Sequence, residues 1–242
     1  MLDQFFGHDR LRFLTRTEQG GARGSAPAAN VVPHNLAAPI PTRRTAAVLA
    51  ASEALADPRG APACVRSLWR SIGHSEEELA AEFEDADELV VAIAEQKASL
   101  MTQALNTGGY PRSEDVARET LVAFGLAAWN EYSTTLPGLV RLLAAEGQRN
   151  PTLKQRVFDA GPALVASRLR QFLSQADEAG ILRVSDAQAQ AQQLMGMLRE
   201  PLYQALVHLR PPKHTANDHV QESVQSFVHG CGRVKGNVHE LD

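Results

Sequence analysis

At 242 residues, with 44% apolar side chains and a net charge of −4, the chain has room for one large domain or for a small domain joined to a larger one. Its longest apolar run, residues 121–129, holds nine residues and is broken by a glycine, well short of the roughly 18 needed to cross a bilayer. The start, "MLDQFFGHDRLRFL", carries charges inside its apolar part, unlike a signal peptide, and Cys64 and Cys231 stand too far apart for a zinc ribbon or a disulfide framework. Membrane-spanning and secreted classes are set aside, and a cytoplasmic protein with no membrane partner is expected.

Residues 1–41 read as a tail, rich in Gly, Ala and Pro and without a sustained period. Its first residues, with Leu2, Phe5, Phe6, Leu11, Phe13 and Leu14, fit a short docking helix or a sticky disordered end equally well. From Thr42 onward the pattern is helical, with no convincing alternation of period 2. Helices are predicted over 43–56, 62–70, 76–82 and 86–106, with "DPRG", Gly73 and "NTGGYP" as stops. A second series covers 114–133, 137–148, 151–178, 186–209 and 215–229. Asn150-Pro151 opens the helix at 151 and Gly180 closes it; Ser185 with Gln188 reads as a capping box, and Pro201 as a kink. The expectation is an all-α protein of about nine helices. A three-helix helix-turn-helix domain (42–90) is followed by a larger helical bundle (91–230) and a C-terminal tail (231–242).

Charge is distributed unevenly along this plan. Residues 71–96 hold nine acids and no Lys or Arg, and "SIGHSEEELAAEFEDADEL" alone carries eight carboxylates. Within it, Gly73 sits at a turn between two short helices, and Leu68, Ile72, Leu79, Phe83 and Leu89 are spaced to form a small core. That is the layout of a helix-turn-helix, whose second helix ordinarily enters the major groove. The stretch "RRTAAVLAASEALADPRGAPACVRSLWRSIGHSEEELAAEFEDADELVVAI" resembles the N-terminal domain of TetR-family transcriptional regulators without a gap. Ala47, Leu49, Ala50, Ala51, Gly60, Val65, Leu68, Gly73, Ser75, Leu79, Phe83 and Leu89 carry the framework. The segment from "RLLAAEGQRNPTLKQ" to "LREPLYQALV" is similar to a subgroup of that family's effector domains, so the resemblance spans about residues 43–230.

By that resemblance the DNA-reader positions are Ser75, Glu76, Glu77, Glu78, Ala80, Glu82 and Ala86. The chemistry at these positions departs from the family. Glutamates stand where basic, small or hydroxyl residues are usual, Ala80 replaces a phosphate-binding Tyr, and Ala86 replaces a phosphate-pairing Lys. Acids in a first helical turn also have a plain structural use, since they face the positive end of the helix dipole, and Ser75 with Glu78 and Asp85 with Glu88 fit capping boxes. Capping accounts for two to four of the eight carboxylates and leaves Glu82 and Glu84 unexplained. An operator-binding dimer typically neutralises ~6–10 phosphates, whereas each carboxylate brought within ~4 Å of a phosphate costs on the order of 1 kcal/mol in water. The usual operator grip is therefore not expected, and Arg43, Arg44, Arg66 and Arg70, with Arg10, Arg12, Arg16 and Arg23 of the tail, are the route left for weak contact.

The later helices present apolar faces that read first as bundle core. The resemblance implies a cavity among them, with Met101, Phe124, Trp129, Tyr132, Phe158 and Met197 as pocket candidates for a small apolar ligand. It also implies a homodimer through the last two helices, with Leu194, Leu198, Leu202, Leu206, Val224 and Phe227 as interface candidates, although the same leucines could close a monomer. The eight histidines lack metal-ligand spacing, and His214, His219 and His229 read as solvated. No nucleophile elbow, phosphate loop or dinucleotide fingerprint occurs, so neither catalysis nor a cofactor is expected. Three functions remain open. One is a ligand-responsive regulator that meets DNA atypically or in a heterodimer; another is a partner-binding protein whose acidic helix docks on a basic protein. The third is a small-molecule carrier or sensor with a vestigial reader.

Overall fold

The structure, a computed structural model, describes residues 42–57, 60–107, 110–147, 149–208 and 215–231, all within one compact unit, 40–242. The predicted tail at 1–41 and residues 232–242 lie outside the described residues. The described chain is all helical: α1 (Arg43–Ala56), α2 (Val65–Ser71), α3 (Glu76–Glu82), α4 (Ala86–Thr107), α5 (Glu114–Ser133), α6 (Thr135–Glu146), α7 (Pro151–Phe158), α8 (Leu164–Glu178), α9 (Ala187–His208) and α10 (Ala216–Cys231). No helix among them is long and apolar enough to cross a membrane.

The sequence predicts one helix over 151–178. Asn150 does cap its start, accepting from the Leu153 amide at 3.0 Å. Inside it, however, Asp159–Ala163 widens into a π-helical turn around Pro162, which separates α7 from α8. Proline has no N–H to donate, so the ladder must loosen where it sits. Counting α7, the π turn and α8 as one rod recovers the nine predicted helices. At α9 the predicted capping box is displaced by one residue. Asp186, not Ser185, caps the helix, accepting from the Gln188 and Ala189 amides at 2.9 and 3.0 Å, because its carboxylate is the stronger acceptor.

Two apolar clusters organise the packing. The first joins α1 to α3 with the first half of α4, through Leu55, Leu68, Leu79, Phe83, Leu89 and Ile93. It also takes in Leu139 and Leu142 of α6 with Leu153 and Val157 of α7. The second joins the rest of α4 to α5, α8, α9 and α10 around Leu121, Phe124, Leu169, Leu173 and Val224. α4 belongs to both, so no break in the helix marks the predicted boundary at 90. Gly73 takes φ +72° between α2 and α3, a left-handed conformation that a side chain would strain. At Gly138 the constraint is space, since a Cβ there would lie 2.0 Å from the Leu55 carbonyl oxygen. This close approach seats α6 directly on α1.

Candidate functional site

The reader face comes first. Ser75 accepts from the Glu78 amide at 3.1 Å, and Glu78 accepts from the Ser75 amide at 3.0 Å, which completes the predicted capping box of α3. The same device opens α4: Asp85 accepts from the Glu88 amide at 2.7 Å and Glu88 from the Glu84 amide. Asp87 accepts from the side-chain amide of Asn150 at 2.6 Å, tying α4 to the start of α7. Four of the eight carboxylates therefore have structural roles. Glu76, Glu77, Glu82 and Glu84 enter no side-chain ion pair among the described residues, and all but the partly covered Glu82 are fully exposed.

Of the flanking arginines, Arg44 is committed to the fold. Its guanidinium donates to Glu88 at 2.8 Å and to the Glu82 carbonyl, and it stacks 4.4 Å from the centre of the Phe83 ring. Arg44 thus bridges α3 and α4, with two of its five donors engaged there. Arg43, Arg66 and Arg70 remain exposed. The hydrogen bond from the Glu84 amide, and after it the Arg44 guanidinium, hold the Glu88 carboxyl below the usual carboxylate range. A pKa lower in the folded state than in the unfolded chain gives stability that is present above the unfolded value near 4.3 and is lost as pH falls through the folded one. Glu88→Gln should consequently be less stable than the parent at pH 7, and the gap should narrow on acidification below pH 4. Urea midpoints across that range would show it.

The second feature is a cavity of about 560 Å³, within the range of small-molecule sites. Ala94, Ala98 and Met101 of α4, Leu136, Pro137, Leu139 and Val140 of α6, Gly161 and Pro162 of the π turn and Val165 of α8 form most of its wall. Leu143, Val157, Tyr132, Met195, Gly196, Arg199, Tyr203 and Lys97 complete it. Burial raises the Tyr132 phenol above its ordinary pKa, with an opposing hydrogen bond from Arg199.

Of the six pocket candidates, Met101 and Tyr132 line this cavity. The other four do not. Phe124 is 1% exposed in the middle of the second core cluster, where neighbours fill the space around it. Trp129 packs on the imidazole of His219, with ring centres 5.5 Å apart. Phe158 is 53% exposed on the outer side of α7, and Met195 stands at the wall in place of Met197. His219 is not solvated, as its Nε2 lies 2.9 Å from the Met197 carbonyl oxygen.

Four of the six interface candidates lie among the described side chains. Leu194, Leu198, Val224 and Phe227 are each at most 6% exposed inside the single chain, where α9 and α10 pack on α5 and α8. The side chains of Leu202 and Leu206 fall outside the described residues. Among the described residues, α9 and α10 turn outward Gln192, Gln193, Arg199 and Tyr203, with Gln221, Glu222 and Gln225.

The sequence reading also missed two residues of one polar group. Lys97 of α4 is 8% exposed and lies 3.2 Å from Oε2 of Glu131 on α5, itself 6% exposed. The side-chain amide of Asn130 donates to the other oxygen of Glu131 at 3.1 Å, while Oε2 has no aligned hydrogen bond. The available signal was a lone Lys in the apolar run "LVVAIAEQKASLM". Among the described residues, no group of three His, Cys, Asp or Glu side chains gathers as a metal site.

The AefR-like transcriptional repressor C-terminal domain family matches residues 119–230. No curated protein matches the sequence. Among solved structures, a putative TetR-family transcriptional regulator from Mesorhizobium loti superposes with a TM-score of 0.58 at 17% identity, covering 78% of this chain and 96% of its own. A TetR transcriptional regulator from Agrobacterium tumefaciens gives 0.56 at 19% identity, with 80% and 96% covered. The flavonoid-responsive regulator FrrA gives 0.55 at 20% identity, with 79% and 98% covered. At these identities the superpositions speak for the fold, while the match over 119–230 speaks for the C-terminal domain. Residues 119–230 are thus similar to the C-terminal domain of AefR-like transcriptional repressors, and the chain has the fold of the TetR-family regulators it superposes on.

Proposed function

We propose that the chain is a ligand-responsive transcriptional regulator whose reader meets DNA outside the family's usual grip, through Arg43, Arg66 and Arg70 or as one half of a heterodimer. The observation that carries this reading is the sharing of one wall by the cavity and the reader. Leu139 and Val157 line the cavity and also belong to the apolar cluster that holds α1 to α4 together. A molecule in the cavity presses on the packing that positions α3, and α6 passes that pressure to α1 at the Gly138–Leu55 contact. Coupling of this kind requires a ligand that favours one packing over another.

Hydrogen exchange of the full chain, with and without saturating sodium decanoate, tests the reading. Amides of α1 and of the first half of α4 should exchange several-fold more slowly with the cavity filled. Unchanged rates there, with decanoate shown to be bound, would contradict it.

A second reading is favoured by Glu76 and Glu77, exposed and free of ion pairs at the reader's outer end. In it the acidic helix docks on a basic protein and DNA is not the target.

A further inference from the structure

Every charged side chain in the cavity wall is basic. Among the described residues, Lys97 and Arg199 line it and no Asp or Glu does. Glu131 stands behind Lys97 and neutralises one of the two charges, which leaves a net positive charge facing an otherwise apolar space. The ion pair is also short of partners. An ammonium has three donors, and Glu131 is the one partner of Lys97 among the described residues. A charge buried this deeply is costly unless its donors are met, and an apolar pair of similar size would hold the fold as well. Apart from the hydroxyls of Tyr132 and Tyr203, the rest of the wall, with Ala94, Ala98, Met101, Leu136, Leu139 and Val165, offers no hydrogen bonds from its side chains.

Resting on the reading of this cavity as the effector site, we infer that its ligand is an amphiphilic organic anion, a carboxylate on an apolar body. The carboxylate accepts from Lys97 and Arg199, and the body lies against α6, the π turn and α8. Two oxygens supply the acceptors that the ammonium lacks, and the anion balances the charge of Arg199. An uncharged hydrocarbon of the same shape would leave Lys97 with Glu131 alone and the charge of Arg199 unbalanced, and a cation would face two like charges.

Calorimetric titration of the full chain with three probes of equal chain length, sodium decanoate, 1-decanol and decyltrimethylammonium, tests the assignment. Decanoate is expected to bind about tenfold or more tighter than decanol, since charge-assisted hydrogen bonds are the stronger kind. Arg199→Gln should lose most of that preference. The double variant Lys97→Met/Glu131→Leu, which leaves no buried charge unpaired, should lose it while still binding decanol. Equal binding of decanoate and decanol, or tighter binding of the ammonium, would overturn the anion assignment and leave the effector reading standing. Decanoate that binds tightly without altering exchange in α1 and α4 would overturn the effector reading instead.

Discussion

Replacing Lys97 by Met should cost about 3–5 kcal/mol, among the largest effects available to a single substitution in this chain. Met fills much the same volume, so the loss does not come from a cavity. It comes from Glu131, 6% exposed, left with a charge and no counter-ion. For a chain of this size that corresponds to a fall of roughly 10 °C in the unfolding midpoint. The double variant Lys97→Met/Glu131→Leu should recover the loss, because the cost of the pair lies in desolvating it and the apolar replacement has nothing to desolvate. Urea denaturation of the four proteins in this cycle gives the coupling directly. A single-variant loss below about 1 kcal/mol would mean that water reaches Glu131 and that the pair is not buried in solution.

The second large effect concerns the reader. Glu78, Asp85, Asp87 and Glu88 each accept a hydrogen bond that fixes a helix start or a contact between helices, so changing them would damage the scaffold. Glu76, Glu77 and Glu82 have no such role. The triple change Glu76→Lys, Glu77→Lys and Glu82→Lys should leave stability within about 1 kcal/mol of the parent, as surface substitutions ordinarily do. Its affinity for duplex DNA should rise by two orders of magnitude or more at ~0.1 M salt. Each substitution removes a repulsion of about 1 kcal/mol at ~4 Å and installs an attraction of similar size. Filter binding or fluorescence anisotropy on one fixed duplex would measure the gain. A gain under threefold would place this face away from the phosphates.

What was readable in the sequence follows from how local each signal is. Gly73 announced its turn because only a residue without a Cβ sits comfortably at φ +72°, and Ser75 with Glu78 announced the start of α3 because a capping box closes within four residues. Leu68, Leu79, Phe83 and Leu89 announced the reader's core because helical spacing gathers them on one side. The cavity was harder to read. Aromatic and Met side chains mark where space is filled, as Phe124 shows, whereas a void opens where residues are small, as with Ala94, Ala98, Gly161 and Pro162. Gly161-Pro162 inside a long helical pattern was a signal for the π turn, although proline alone does not tell a kink from a widened turn. The pairing of Lys97 with Glu131 joins residues 34 positions apart, and no spacing rule connects them. Leu194 and Leu198 lie in the chain's own core, and a helix buried in its own chain shows the same stripe as one buried against a second copy.

The central claim is that this chain keeps the geometry of a DNA reader and has lost its hold on phosphate. The slope of log K against log salt concentration for the unaltered protein, on duplexes from the DNA flanking its own coding sequence, tests that claim most directly. A grip of ~6–10 phosphates gives a slope steeper than about −5. With Arg43, Arg66 and Arg70 as the remaining contacts, the expected slope is no steeper than about −3, with micromolar affinity at about 150 mM salt. A steep slope joined to nanomolar, sequence-specific binding by the protein alone at that salt concentration would contradict it.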